Sequence, residues 1–263
     1  MAAPRSKSAI GIGMGPIVYG PVPNQAPYAY RSYTGIIPTA EWTVFFDDFT
    51  QGVTGNVPTG WSSSAIDTLG TVTQNTTAAL GANGVLTLAH ATASNGAAIF
   101  QTTKPIQLTT AKRFCIETRV RTDDVTDNFI FVGVSDLTSV ATAVGLSDTT
   151  SANGASFGLI DGVATTSIFS DKANSGTVAQ ATAGTGAPGI RTLAINTWHT
   201  LALSYDGTIL TGWVDGKLSQ IWQGVAATIP TGVALSPVVG FSNGNGAGGA
   251  LFLVDYLRYA IER

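Results

Sequence analysis

The residues able to do acid–base chemistry in this chain are few and far apart. Glutamate occurs only at Glu41, Glu117 and Glu262, and no two of them are close in sequence. Retaining glycoside hydrolysis needs two carboxyl groups about 5 Å apart, one as nucleophile and one as acid. The nearest candidate is Glu117, in Ile116-Glu117-Thr118-Arg119. Side chains alternate along a strand, so Glu117, Arg119 and Arg121 share one face there and read as a solvated charge row. A Ser-His-Asp hydrolase needs a base, and the only histidines are His90 and His199. Neither sits in a Gly-x-Ser-x-Gly elbow, and His199 beside Trp198 reads as structural. The glycine-rich stretches have no phosphate-loop lysine and lead into no helix, so nucleotide binding has no motif to rest on. The lone Cys115 excludes an internal disulfide and a cysteine-rich metal site, and reads as a small buried hydrophobe in a strand.

Aromatic rings offer a second chemistry, because sugar faces stack on exposed rings. Trp222, Tyr256 and Tyr259 are candidates for such a surface. Trp42, Trp61, Trp198 and Trp213 occupy strand positions that favour burial.

Composition narrows the partners. Charged residues make up 11% of the chain, against roughly 25% in ordinary soluble domains. Ala, Gly, Thr and Ser fill the gap. A neutral surface resists association poorly, which points to burial in a homo-oligomer or a multi-copy assembly. The net charge is −3 and the basic residues are scattered, so no basic stripe tracks phosphates and nucleic acid is not the expected partner. No apolar run approaches the roughly 18 residues needed to span a membrane. The stretch from Ile10 to Tyr19 is broken by Gly11, Gly13, Gly15 and Pro16, a poor signal-peptide core. The expectation is a protein made in a cytoplasm and not exported by the usual route.

The elements divide the chain in two. Residues 1–40 are rich in Gly and Pro, which exclude both a helix and a central strand. Yet Tyr19, Tyr28, Tyr30, Tyr33, Ile36 and Ile37 recur among them, more bulky groups than a free linker holds. This segment reads as an extended arm that docks on a partner; the alternatives are a loose terminus or a strap across its own domain. Residues 41–263 have the signals of an all-β domain. Strand candidates are Trp42–Phe49, Gly84–Ala89, Arg113–Arg121, Phe129–Ser135, Ala155–Ile160 and Trp198–Tyr205, followed by Ile209–Val214, Leu218–Trp222, Pro237–Phe241 and Leu251–Ile261. Alternation puts Leu201, Leu203 and Tyr205 on one face, and aligns Leu251, Leu253, Leu257, Tyr259 and Ile261 with Asp255 intruding. Asp161-Gly162, Asp206-Gly207 and Asp215-Gly216 are hairpin-turn dipeptides, and the strand between the last two should bring Trp213 against the core. At most a short helical turn fits near Thr138–Leu146, and Asp171 to Gly189 reads as a long loop.

The run Asn196-Thr197-Trp198-His199 through Asp206-Gly207, followed by Gly212-Trp213-Val214-Asp215-Gly216-Lys217, resembles laminin-G-like and concanavalin A-like domains. Phe46-Asp47-Asp48-Phe49 with Gly60-Trp61 is similar to the first strand of those domains, and Leu253-Val254-Asp255-Tyr256-Leu257 to the last. The resemblance spans about residues 43–263 and implies a concanavalin A-like jelly-roll β-sandwich with an extended N-terminal arm. Such domains often hold one Ca²⁺ near the first and last strands, and Asp47 or Asp48 with Asp255 would suit a hard cation. The alternative is that one Asp caps a turn while Asp255 accepts backbone hydrogen bonds. Glycan-hydrolysing members carry Glu-x-Asp-x-x-Glu on one strand, a pattern missing here, so the expectation is that the protein is not an enzyme. The neutral surface, the aromatic arm and the sandwich together resemble surface modules of bacteriophages. They imply a virion structural protein, a capsid decoration, cement or head-fibre module anchored through the arm to capsid or other virion proteins. The alternative is a carbohydrate-binding adhesin or tail-fibre receptor-binding module with a glycan ligand; a third is a glycosidase relative with a rearranged site.

Overall fold

A computed structural model describes residues 42–49, 58–65, 71–74, 84–89, 96–125, 128–136, 153–160, 163–172, 191–222, 228–243 and 251–262. The arm of residues 1–40, with Tyr19, Tyr28, Tyr30, Tyr33, Ile36 and Ile37, lies outside the described residues. So do the helical turn expected near Thr138–Leu146 and the loop beyond Lys172. The described residues form strands and turns only. In chain order the strands are β1 (Trp42–Asp47), β2 (Trp61–Ala65), β3 (Thr71–Gln74), β4 (Leu86–Ala89), β5 (Gly96–Gln101), β6 (Ile106–Gln107) and β7 (Phe114–Thr122). They continue as β8 (Asn128–Ser135), β9 (Gly154–Ile160), β10 (Val163–Asp171), β11 (His199–Tyr205), β12 (Leu210–Val214), β13 (Lys217–Trp222), β14 (Ala234–Asn243) and β15 (Leu251–Glu262).

Two antiparallel sheets face each other. The eight-stranded sheet runs β13-β12-β11-β7-β15-β4-β3 with β1 also beside β15; the seven-stranded sheet runs β10-β9-β8-β14-β5-β2 with β6 beside β14. Alternate residues point between the sheets and make one core. Ile116, Leu201, Leu203 and Leu257 enter from the first sheet, and Ile130, Val132, Phe157, Val239 and Phe241 from the second. This is the all-β sandwich expected from the alternation.

The turns follow their residue chemistry. Between β12 and β13, Val214 pairs with Lys217, and the two-residue turn places Asp215 at φ 50° and Gly216 at φ 72°. Positive φ at both positions is what a hairpin of this length demands. Between β11 and β12 the turn is longer. Asp206 Oδ1 accepts from the backbone N–H of Thr208 at 2.8 Å and of Ile209 at 2.7 Å, while Gly207 takes φ 105°.

Several elements depart from simple alternation. In β15 the register against β7 slips between Val254 and Tyr256, leaving Asp255 as an extra residue. A bulge of this kind reverses which face each side chain takes. Phe252 and Val254 therefore join the core before it, and Leu257 and Tyr259 after it. This corrects the expected common face for Leu251, Leu253, Leu257 and Tyr259. The bulge also removes Asp255 from the apolar row. In β12, Trp213 is 6% exposed and packs with Ala202 and Leu218 in a small cluster separate from the main core. It lies against the sheet's outward face. Finally, β2, β3, β5, β6 and β10 went unrecognised: Ser, Gly, Ala and Thr dominate β2, β5 and β10 and leave little apolar alternation, while β3 and β6 are only 4 and 2 residues long.

Candidate functional site

Strand pairing brings distant residues into a straight row across the outward face of the eight-stranded sheet, the face turned away from the core. Leu218 of β13 pairs with Trp213, Trp213 with Ala202, Ala202 with Glu117, Glu117 with Arg258, and Arg258 with Phe46 of β1. The chemistry of the row concentrates at β7 and β15. Glu117 Oε1 lies 2.6 Å from an Arg258 guanidinium nitrogen and accepts a hydrogen bond from the Tyr256 hydroxyl at 2.6 Å. Its other oxygen, Oε2, is buried and has no hydrogen-bond partner among the described residues. Glu117 is 0% exposed and Arg258 5%, which corrects the expected solvated charge row.

Burial disfavours the charged carboxylate, and here it outweighs Arg258 and Tyr256, so the Glu117 pKa is raised above the ordinary carboxylate range. Burial, followed by the adjacent carboxylate, likewise raises the Tyr256 phenol. A carboxyl group held in this way retains its proton to higher pH, as general acids do.

Beside this buried Glu117–Arg258 pair the surface opens. Arg119, two residues along β7 from Glu117, lies with its guanidinium 5.1 Å from the Trp198 ring centroid. It also donates to Asp255 Oδ2 at 3.0 Å, with side chains 45% and 31% exposed respectively. The bulge in β15 makes this pairing possible by pushing Asp255 out of the core alternation. Phe46 extends the face at the β1 edge, 45% exposed and 5.8 Å from the Tyr256 ring.

His199 has the structural task expected of it. Its Nε2 accepts from the Ala194 N–H at 2.9 Å, so Nδ1 carries the proton towards Asp215 Oδ2 at 2.8 Å. Asp215 Oδ1 accepts from the Thr200 N–H at 2.8 Å. Burial works to raise the Asp215 pKa, but the bonds from His199 and Thr200 prevail and hold it below its usual range. His90 lies outside the described residues.

The proposed cation ligands are not gathered. Asp47 uses Oδ1 to accept from the Phe49 N–H and Oδ2 to accept from Trp61 Nε1, both at 2.7 Å. Asp48 is exposed at the end of the same segment, while Asp255 pairs with Arg119. Among the described residues no group of three His, Cys, Asp or Glu is placed to hold a metal ion. Of the aromatic candidates, Tyr259 is buried, stacked on Phe45 at 5.0 Å, and Trp222 packs against the core. Tyr256 and the half-buried Trp198 remain at the outward face. Sequence reasoning missed Arg258 as the partner of Glu117, because that contact exists only once the β7–β15 register is known.

The architecture is matched by solved structures. An endo-1,3-beta-glucanase from Streptomyces sioyaensis is similar over 86% of this chain and 98% of its own, with TM-score 0.57 and 14% identity. The carbohydrate recognition domain of Emp47p matches 85% of this chain and 98% of its own, with TM-score 0.57 and 13% identity. Peanut lectin matches 84% and 97%, with TM-score 0.55 and 13% identity. The fold is therefore the concanavalin A-like jelly roll. No protein-family model matches the chain, and no curated protein matches it in sequence.

The expectation that the protein is not an enzyme is corrected, because the fold it was drawn from is shared by an enzyme, the endo-1,3-beta-glucanase from Streptomyces sioyaensis. Its physical basis was also too narrow. Spacing along one strand says nothing of groups that the sheet brings together from several strands, as it does for Glu117, Tyr256 and Arg258. None of the three neighbours described above is a virion protein, and the capsid expectation gains no support from them. Among the described residues no helix is long and apolar enough to cross a membrane.

Proposed function

We propose that the chain is a carbohydrate-binding module of the concanavalin A-like fold. Its glycan site is the open rim of the eight-stranded sheet formed by Arg119, Trp198 and Asp255, with Tyr256 and Phe46 alongside. The observation that carries this reading is the exposed Arg119–Asp255 pair set against the Trp198 ring. An aromatic surface offers sugar C–H groups a face to lie on. The guanidinium and carboxylate supply fixed donors and acceptors for adjacent hydroxyls. The names of structural neighbours, a carbohydrate recognition domain and a lectin among them, support the same substrate class.

The test is a glycan array followed by titration calorimetry, with laminaritetraose among the oligosaccharides and released reducing ends measured in the same samples. Asp255→Ala and Trp198→Ala should each weaken binding at least about tenfold, the loss of one good polar or aromatic contact. A protein that retains no glycan, or whose binding ignores both substitutions, overturns the proposal. Reducing ends released by the intact protein would add turnover to binding.

A further inference from the structure

The outward row of the eight-stranded sheet is buried on a face where no described strand packs. The strands that cross this sheet belong to the seven-stranded sheet and meet it on its inner face, through the main core. On the outward face Ala202 is 1% exposed, Glu117 0% and Arg258 5%, and Cys115, on the neighbouring rung between Ser204 and Ala260, 3%. Away from this row accessibility returns, at Arg119 and Asp255 (45% and 31%), at Ile221 of β13 (36%) and at the β1 edge, where Val44 is 47% and Phe46 45% exposed. Side chains on an uncovered sheet face would stand in water.

We infer that this face is a docking surface for residues 1–41 of the same chain. That segment ends at Trp42, where β1 begins opposite Glu262, on the edge strand next to the one bearing Arg258. From β1 the face runs through β15, β7, β11 and β12 to β13, five steps of about 4.8 Å or roughly 24 Å. Extended chain advances about 3.3 Å per residue, so roughly eight residues bridge that distance and the segment has reach to spare. Its bulky groups suit the surface. Tyr28, Tyr30, Tyr33, Ile36 and Ile37 lie within a dozen or so residues of Trp42. The row they would meet mixes apolar Trp213, Ala202 and Leu218 with polar Glu117 and Arg258. A tyrosine, apolar in its body and polar at its tip, fits such a mixture. The inference is independent of glycan binding, since it concerns the covered part of the face.

Cys115 is the chain's single cysteine and lies on the covered face, so its thiol reports the cover directly. The full-length protein is compared with a full-length variant bearing Tyr28→Ser, Tyr30→Ser, Tyr33→Ser, Ile36→Ser and Ile37→Ser. Reaction with Ellman's reagent is followed under native conditions, and far-UV circular dichroism verifies that both are folded. Loss of the cover should speed labelling at least about tenfold, because a thiol reacts in proportion to its open population. In a second measurement a photo-cross-linking p-benzoylphenylalanine replaces Ser204, half-buried on this face opposite Cys115, in the full chain, and the captured peptide is identified by mass spectrometry. Capture of a peptide from residues 1–41 at monomer mass, together with faster labelling of the variant, is the expected result. Unchanged labelling, cross-links confined to residues 42–263, or capture only between two copies overturns the inference.

Discussion

The ring of Phe157 fills the space in which a side chain on Gly212 would begin. A Cβ at Gly212 would stand 2.3 Å from two of its ring carbons. Gly212 on β12 and Phe157 on β9 belong to opposite sheets, and the ring is fully buried. At this contact between the sheets, one of them contributes nothing but backbone. Gly212→Ala should destabilise the fold by about 1–3 kcal/mol through overpacking. Phe157→Leu in the Gly212→Ala background should recover part of that loss. Urea denaturation of the two single variants and the double variant measures both effects, and simple additivity would refute the contact.

The Glu117–Arg258 pair should respond asymmetrically to truncation. Arg258→Met leaves a buried carboxylate without its cation and should cost about 3–5 kcal/mol. Combining it with Glu117→Gln removes the charge and should cost distinctly less. Losses of Arg258→Met and Glu117→Gln that simply add in the double variant would show that the pair is not coupled.

The same carboxyl group gives a signed pH effect. The Glu117 pKa is raised in the folded protein, chiefly by burial, so the unfolded chain releases this proton first. Stability should fall as pH rises from the ordinary carboxylate range through the folded value. Glu117→Gln should flatten that part of the profile. Melting temperatures measured across that range test this, and an unchanged slope in the variant would count against it.

Asp215 should act in the opposite sense. Its pKa is lowered in the fold, so its contribution is present above the unfolded value of about 3.9 and disappears as pH falls through the folded one. Asparagine tolerates the positive φ at this turn, so Asp215→Asn removes mainly the charge. The side chain is 47% exposed, and solvent screening limits the loss near neutral pH to about 1 kcal/mol or less. The difference between variant and parent should vanish in strong acid, as paired thermal melts would reveal.

The bulge in β15 separates side-chain chemistry from register. Asp255→Ala should cost at most about 1 kcal/mol, the worth of an exposed ion pair. Inserting one further residue after Asp255 should instead prevent folding, because Leu257 and Tyr259 would exchange faces with Tyr256 and Arg258. Expression and circular dichroism of the two variants distinguish these outcomes.

Local features of this fold were legible in the amino-acid order. Asp206-Gly207 and Asp215-Gly216 mark turns because their backbone requirements are met by the residues themselves. Leu201, Leu203 and Tyr205 reveal an inward face by alternation alone. What was hidden depended on pairing between distant strands. The bulge at Asp255 reverses parity without any local signal, and the partners of Glu117, which are Tyr256 and Arg258, stand more than a hundred positions away. Strands such as Trp61-Ser-Ser-Ser-Ala65 were hidden because their small polar residues leave recognition to the surrounding sheet. The candidate site was legible only as separate parts, Trp198, Arg119 and Asp255, whose adjacency is a property of the assembled sheet.

The pairing of β1 with β15 also has a mechanical meaning. Trp42 stands opposite Glu262 and Asp47 opposite Leu257, so the first strand's beginning and the last strand's end lie side by side. Tension pulling those two ends apart would load the ladder at a single rung, which must break before the next bears force. The seam would open like a zip, peeling β1 from the sheet while the central strands stayed unloaded. A domain built in this way yields first at the strand that presents Phe46, long before its core is strained.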